Sequence, residues 1–310
     1  MDREIVESMH RTHIGVDNDP VNLILHGLRT SISDGWGGSM IATDLSDVLF
    51  GTPTPVKSLS NLGVLKEDEV NIVIHGHEPT LSEMLVAATQ DPEMIDLAKQ
   101  QGAAGINVAG MCCTGNEVLM RHGIPIAGNF LQQELAIITG SVEAMIVDVQ
   151  CIMPALPDLA NCFHTQIIST SPKAKFPGAT HIEFHEEHAH DIAKTIIRQA
   201  VENYPNRNRA KVNIPDDTTE CMAGFSVEAI VGALGGTLDP LLDAIKSGAI
   251  QGIVGEPGRV GVGRGDGDPW EERGHGHHRR RPERQGNAVR ARRHGAPTQQ
   301  RREPHRHQQA

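Results

Sequence analysis

Three apolar runs in this chain end in side chains that bind soft or borderline metals. Asn71-Ile72-Val73-Ile74 leads into His75-Gly76-His77, Gly105-Ile106-Asn107-Val108-Ala109-Gly110 into Met111-Cys112-Cys113, and Ala144-Met145-Ile146-Val147-Asp148-Val149 into Gln150-Cys151. His77 precedes Cys113 by 36 residues and Cys113 precedes Cys151 by 38. Each interval is about the length of one strand–helix–strand repeat, so the chain returns to the same edge of a sheet. Open parallel sheets bind ligands outside the carboxyl ends of their strands. One imidazole and two thiolates converging there suit zinc or iron–sulfur chemistry. Taken singly, a cysteine in a Val/Ile strand is a small buried hydrophobe. The joint pattern at three strand ends favours ligands. Of the adjacent pair Cys112 and Cys113, only one is expected to reach a given metal, because successive side chains of extended backbone face oppositely.

Other polar groups carry weaker signals. Asp34-Gly35-Trp36-Gly37-Gly38-Ser39 sets a carboxylate and an indole among glycines that permit close backbone approach, and equally fits an ordinary turn. His185 and His188 stand at i, i+3, one residue short of the spacing of a helical metalloprotease motif, so His185-Glu186-Glu187-His188 reads as a solvated helix start. Cys162 is expected to pack and Cys221 to open a buried strand. Five cysteines, two of them adjacent, make a poor disulfide framework and point to a reducing, cytoplasmic setting. The start, Met1-Asp2-Arg3-Glu4, lacks the regions of a signal peptide.

The elements that position these residues follow from periodicity. Strands are expected at 70–75, 105–110, 144–149, 166–170, 221–225 and 250–254, separated by helical patterns. The clearest helix is the stripe Ala189, Ile192, Ala193, Ile196, Ile197, Ala200, Val201, Tyr204, with Lys194, Arg198 and Glu202 opposite. Alternation of strands and helices argues for an α/β fold with a Rossmann-like parallel sheet. The 310 residues suggest two domains. A remnant of a helical region is expected at 1–30, the Rossmann-like domain with the ligands at 31–210, and a truncated second α/β domain at 211–255, after a Pro/Asn/Asp-rich boundary. No apolar run is long enough to cross a bilayer, and aromatics at 3% of residues leave little for base stacking. Neither membrane nor nucleic acid is an expected partner.

Charge marks a break near residue 256. From there to residue 310 the chain has 13 Arg, no Lys and 7 acidic residues, a net of +6, leaving 15 basic and 32 acidic residues, a net of −17, in the body. Residues 256–310 lack Leu, Ile, Met and Phe and are expected to be disordered. Two readings compete for this tail: a shifted reading frame, favoured by the abrupt change, and a basic arm whose Arg279-Arg280-Arg281 and Arg292-Arg293 could neutralise phosphates. Gly261-Val262-Gly263-Arg264-Gly265 lacks the following helix that a phosphate loop needs, and His275-Gly276-His277-His278 reads as part of the biased tract.

Taken together, Asp34-Gly35-Trp36-Gly37-Gly38-Ser39-Met40, Leu49-Phe50-Gly51-Thr52-Pro53, His75-Gly76-His77, Cys112 through Pro125 (CCTGNEVLMRHGIP) and Gln150-Cys151-Ile152 resemble the catalytic subunit of the anaerobic nickel–iron carbon monoxide dehydrogenases, from about residue 12 to 254. The resemblance implies oxidation of CO with water to CO2 and two electrons at a nickel–iron–sulfur cluster of Ni-4Fe-4S type. It also implies a ferredoxin-like electron acceptor and a homodimer in the full-length family. His77 and Cys113 resemble ligands of the iron outside the cubane, Cys151 a cubane ligand, and Asp34 the carboxylate near substrate or hydroxide. In that family three further cysteines and a lysine follow the counterpart of residue 255. A cysteine-rich helical segment, holding further 4Fe-4S clusters, precedes the counterpart of Met1. This sequence has neither, so the resemblance implies three of six ligands and a chain inactive by itself. A hybrid-cluster-type redox protein and an inert, truncated α/β module without cofactor are the competing readings.

Overall fold

Val70–His75 is apolar at four of its six positions and forms strand β2, buried along its whole length. Such a strand must lie inside a sheet covered on both faces, as in parallel α/β folds. The computed structural model describes residues 1–256 and 259–264 and bears out the α/β expectation. Strands β1 (Val56–Ser60), β2, β3 (Ile106–Met111), β4 (Ile126–Gly128), β5 (Val142–Val147), β6 (Gln166–Ser169), β7 (Thr180–His181) and β8 (Thr219–Ala223) form one sheet in the order β7-β6-β5-β2-β3-β4-β1-β8. Every pairing is parallel except β1 with β8.

The helices are α1 (Asp2–Arg11), α2 (Pro20–Asp34), α3 (Ala42–Phe50), α4 (Pro79–Thr89), α5 (Pro92–Gln100), α6 (Cys112–His122), α7 (Gln133–Ile138), α8 (Leu156–Ala160), α9 (Ala189–Glu202), α10 (Val227–Ala233) and α11 (Asp239–Lys246). Because strand side chains alternate, Val70, Ile72 and Ile74 of β2 pack with α4, α5 and α9, while Val73 faces the opposite layer of α7 and α8. The stripe on α9 buries Ala193, Ile196, Ile197, Ala200 and Val201, with each large aliphatic side chain contributing roughly 1.5–3 kcal/mol. Lys194 and Arg198, on its other face, pair with Glu93 of α5. No helix among the described residues is long and apolar enough to cross a membrane.

The order of strands fixes a switch point. From β2 the chain proceeds through β3 and β4 to one side, and from β5 through β6 and β7 to the other. Loops leaving β2 and β5 therefore diverge to opposite faces and open a crevice between adjacent carboxyl ends. One side of that crevice depends on two glycines. A Cβ on Gly110 of β3 would lie 2.4 Å from the Cα of Gly115 of α6, so α6 sits directly on the strand that precedes it. Gly115→Ala is expected to lift α6 and cost about 1–3 kcal/mol, read as a lower urea midpoint; an unchanged midpoint would show that the contact yields freely.

The second-domain expectation meets a different arrangement. Cys221 lies on β8, which pairs antiparallel with β1 at the edge of the main sheet, so 219–223 opens no separate sheet. The preceding segment is stitched to the body: Arg207 reaches Glu143, the amide of Asn213 bonds the Thr139 carbonyl, and the amide of Gly63 bonds the Asp217 carbonyl. Being on an edge strand, Cys221 is only half-buried, and Cys162, expected to pack, is exposed after α8. Backbone contacts divide the chain into Met1–Ala244 and Ile245–Ala310. In the second unit β9 (Ile250–Glu256) pairs antiparallel with β10 (Arg259–Arg264), a strand within the stretch expected to be without structure. The rest of the tail, with its Arg279–Arg281, Arg292–Arg293 and His275–His278 groups, lies outside the described residues.

Candidate metal centre

The three expected ligands leave the carboxyl ends of β2, β3 and β5, which are neighbours in the sheet. After β2 the backbone turns at Gly76, whose φ of +135° is open only to glycine in practice. The next residue, His77, accepts its fixed position from two contacts: its amide donates to the Asp148 carboxylate, and its ring Nδ1 lies 3.0 Å from the Val149 carbonyl. A carbonyl only accepts, so Nδ1 is the donor, which in the neutral imidazole leaves the lone pair on Nε2. Among the described residues Nε2 makes no hydrogen bond, the state a metal-binding imidazole requires.

At the end of β3 there is no loop at all. Cys112 adopts φ +57° and starts α6 immediately, which puts Cys113 in the first helical turn. The amide of Thr114 donates to the Gly76 carbonyl at 2.8 Å, and its hydroxyl to Asp148 Oδ2 at 3.1 Å. Cys112 packs half-buried against the apolar layer under the sheet, whereas Cys113 is exposed. Cys112 nonetheless stays within electrostatic reach of Cys151 and Cys113, and burial first, then those two thiols, pushes its own thiol up to about 12. Desolvation raises Cys113 as well, with the charges of Cys151, Glu117 and Asp148 adding to it.

After β5, Gln150 and Cys151 both hold left-handed backbone, φ +60° and +57°, a conformation that costs a non-glycine residue roughly 1–3 kcal/mol. The Cys151 carbonyl is held by Gln133 Nε2 at 3.0 Å and His75 Nε2 at 3.1 Å. Burial keeps the His75 imidazole below its ordinary value, hence neutral and able to donate from Nε2. Gln133 completes the clamp by accepting the Met153 amide at 3.0 Å. Cys151 is exposed and lines a cavity of about 200 Å³ with Ile152, Pro154 and Phe176.

The donor set fits a thiophilic metal centre. Two exposed thiols that sense one another's charge and an imidazole with a free Nε2 are the ligands that zinc and iron–sulfur sites use. Asp34 lies elsewhere. It ends α2, followed by a π-helical turn at Gly35–Ile41, and it lines a cavity of about 380 Å³ with Met1, Ile5 and Thr30. No hydrogen bond or ion pair among the described residues joins it to His77, Cys113 or Cys151. Asp148, His75 and Gln133 escaped the sequence reading; a lone acid inside the apolar run 144–149 was the only signal. Among the described residues the one group of three with ligand atoms within 4.8 Å of one another is Glu4, Glu7 and His26, not His77, Cys113 and Cys151, and Arg11 and Arg29 already neutralise the carboxylates of that group.

Comparison with known proteins shows the family of the chain and its fold. The model of the Prismane/CO dehydrogenase family matches residues 1–258. Carbon monoxide dehydrogenase 1 of Methanosarcina mazei is 71% identical over 253 residues, 82% of this chain and 40% of that protein. Among solved structures, a nickel-free carbon monoxide dehydrogenase from Thermococcus sp. AM4 superposes with TM-score 0.77 at 65% identity, covering 81% of this chain and 40% of the other. An acetyl-CoA synthase/carbon monoxide dehydrogenase, described with NiZn[Fe4S4] and NiNi[Fe4S4] clusters in its alpha subunits, gives TM-score 0.73 at 47% identity over 81% of this chain and 38% of its own. The chain thus spans about 40% of the length of the relatives it matches.

Proposed function

Because this chain belongs to the Prismane/CO dehydrogenase family, we propose that it is the ligand-bearing central segment of a carbon monoxide dehydrogenase, holding one side of a nickel–iron–sulfur cluster. The observation that supports this most is the departure of His77, Cys113 and Cys151 from three adjacent strand ends at the sheet's switch point. When bound, such a cluster supplies Lewis-acid metals and a two-electron sink for CO + H2O → CO2 + 2 H+ + 2 electrons. Cys113 and Cys151 would hold it as thiolates and His77 through Nε2, the Val149 carbonyl keeping the Nδ1 proton in place. The layers of α4, α5 and α9 and of α7 and α8 keep water from the strands beneath, so the ligands stand on a rigid base. The resemblance assigns Asp34 as the carboxylate beside the substrate water, a role that its place on the separate cavity with Met1, Ile5 and Thr30 does not support. The reading carries with it a ferredoxin-like acceptor, a homodimeric full-length enzyme and a cytoplasmic location.

Three ligands on one side of a crevice leave the opposite side open, and the 310-residue chain is expected to show negligible CO oxidation with a viologen dye even after anaerobic reconstitution with iron, sulfide and nickel. It is nevertheless expected to bind Co(II) with thiolate-to-cobalt absorption. Robust turnover by this chain alone, or Co(II) binding without that absorption, would overturn the ligand assignment.

A further inference from the structure

We propose that Asp148 is the positioning residue that holds the three ligand-bearing segments in register; the inference rests on the ligand reading above. Its carboxylate is 1% exposed and takes four donors. Oδ1 accepts from the amides of His77 and Val149, and Oδ2 from the amide of Glu78 at 3.0 Å and the Thr114 hydroxyl at 3.1 Å. These donors belong to the loop after β2, the first turn of α6 and the loop that leads to Cys151. Among the described residues no other side chain bonds to all three.

An ionised carboxylate suits this place because it only accepts, through two oxygens with about four lone-pair directions, and hydrogen bonds to a charged acceptor are stronger than neutral ones. The space for it is made by Gly76, where a Cβ would fall 1.9 Å from Oδ1. With all four directions occupied, Asp148 is not free to bind a metal or carry a substrate proton. Its effect passes through the backbone: it fixes His77 and Glu78 directly, Cys113 through the neighbouring Thr114, and Cys151 from three residues upstream. Ligands of a metal site have to be held to about 0.5 Å, and one buried carboxylate common to two loops and the first turn of α6 ties these segments together across 71 residues of sequence.

Asp148→Asn keeps the shape but turns one oxygen into a donor. The Thr114 hydroxyl can rotate to meet it; the Glu78 amide cannot. In an anaerobic Co(II) titration of the 310-residue chain, Asp148→Asn is expected to weaken binding about 10- to 100-fold and to speed hydrogen exchange at the His77, Glu78 and Val149 amides. Thr114→Val, which removes one donor of four, is expected to weaken Co(II) about 2- to 10-fold, and Thr114→Ser, which keeps the hydroxyl, to restore it. Wild-type affinity and exchange in Asp148→Asn would overturn the inference, as would equal affinity of Thr114→Val and Thr114→Ser. If the wild type shows no thiolate-to-cobalt absorption, the ligand reading fails separately, and amide exchange in Asp148→Asn still decides whether this carboxylate registers the loops.

Discussion

Replacing Arg207 by methionine is expected to destabilise the fold by about 3–5 kcal/mol, the cost of leaving a buried charge without its partner. The Arg207 side chain is 1% exposed and that of Glu143 is fully buried. The guanidinium meets both carboxylate oxygens at 2.7 Å and spends its remaining protons on the carbonyls of Glu67 and Glu69, at 2.6 and 2.7 Å. Glu143 also accepts the His164 ring at 2.8 Å and the Asn71 amide at 2.6 Å. Removing the cation leaves that carboxylate buried beneath the start of β2, held by the His164 ring and the Asn71 amide alone. Equilibrium denaturation in guanidinium chloride measures the loss. Glu143→Gln combined with Arg207→Met removes both charges and is expected to recover part of it, because the burial penalty falls on the unpaired ion more than on the missing bond. A loss below about 1 kcal/mol in Arg207→Met would mean that water reaches Glu143 and that the pair is not structural.

The second large effect concerns the ligands. Cys113→Ala and Cys151→Ala are each expected to lower Co(II) affinity by about 100-fold or more, since each thiolate supplies a large share of the roughly 10–16 kcal/mol that a complete four-ligand site gains. Cys162→Ala is expected to leave Co(II) binding as it is, because Cys162 is exposed and its bonds to Leu159 and Lys211 run through its backbone and not its sulfur. Cys112→Ala separates two roles for the adjacent pair. Its sulfur packs against the apolar layer, so the expected result is a small loss of stability with Co(II) absorption retained. Retained absorption in Cys113→Ala and its loss in Cys112→Ala would exchange the roles of the two sulfurs. Comparing iron and acid-labile sulfide content of the same variants after anaerobic reconstitution extends the test from single ions to cluster assembly.

The strands whose ends carry His77, Cys113 and Cys151 were legible in the sequence. β2 matches its expected span, and β3, β5, β6, β8 and β9 are displaced by no more than about two residues at either end, because apolar runs flanked by glycine and proline carry local information. The spacing of His77, Cys113 and Cys151 by one repeat each made their position after neighbouring parallel strands a consequence of right-handed parallel crossovers. Periodicity likewise placed α9 and its buried face. What the tertiary structure alone decided lies in contacts between segments far apart in the chain. β1, β4 and β7 are two to five residues long, too short for a periodic signal, and exist because a neighbouring strand offers hydrogen bonds. β8 has the composition of a domain's first strand, yet it closes the edge of the main sheet, since pairing with β1 depends on which edge is vacant and not on its own residues. Asp148 reads in sequence as one acid in an apolar run. Only the fold brings it the amides of His77 and Glu78, and only those amides make a buried charge in that position favourable.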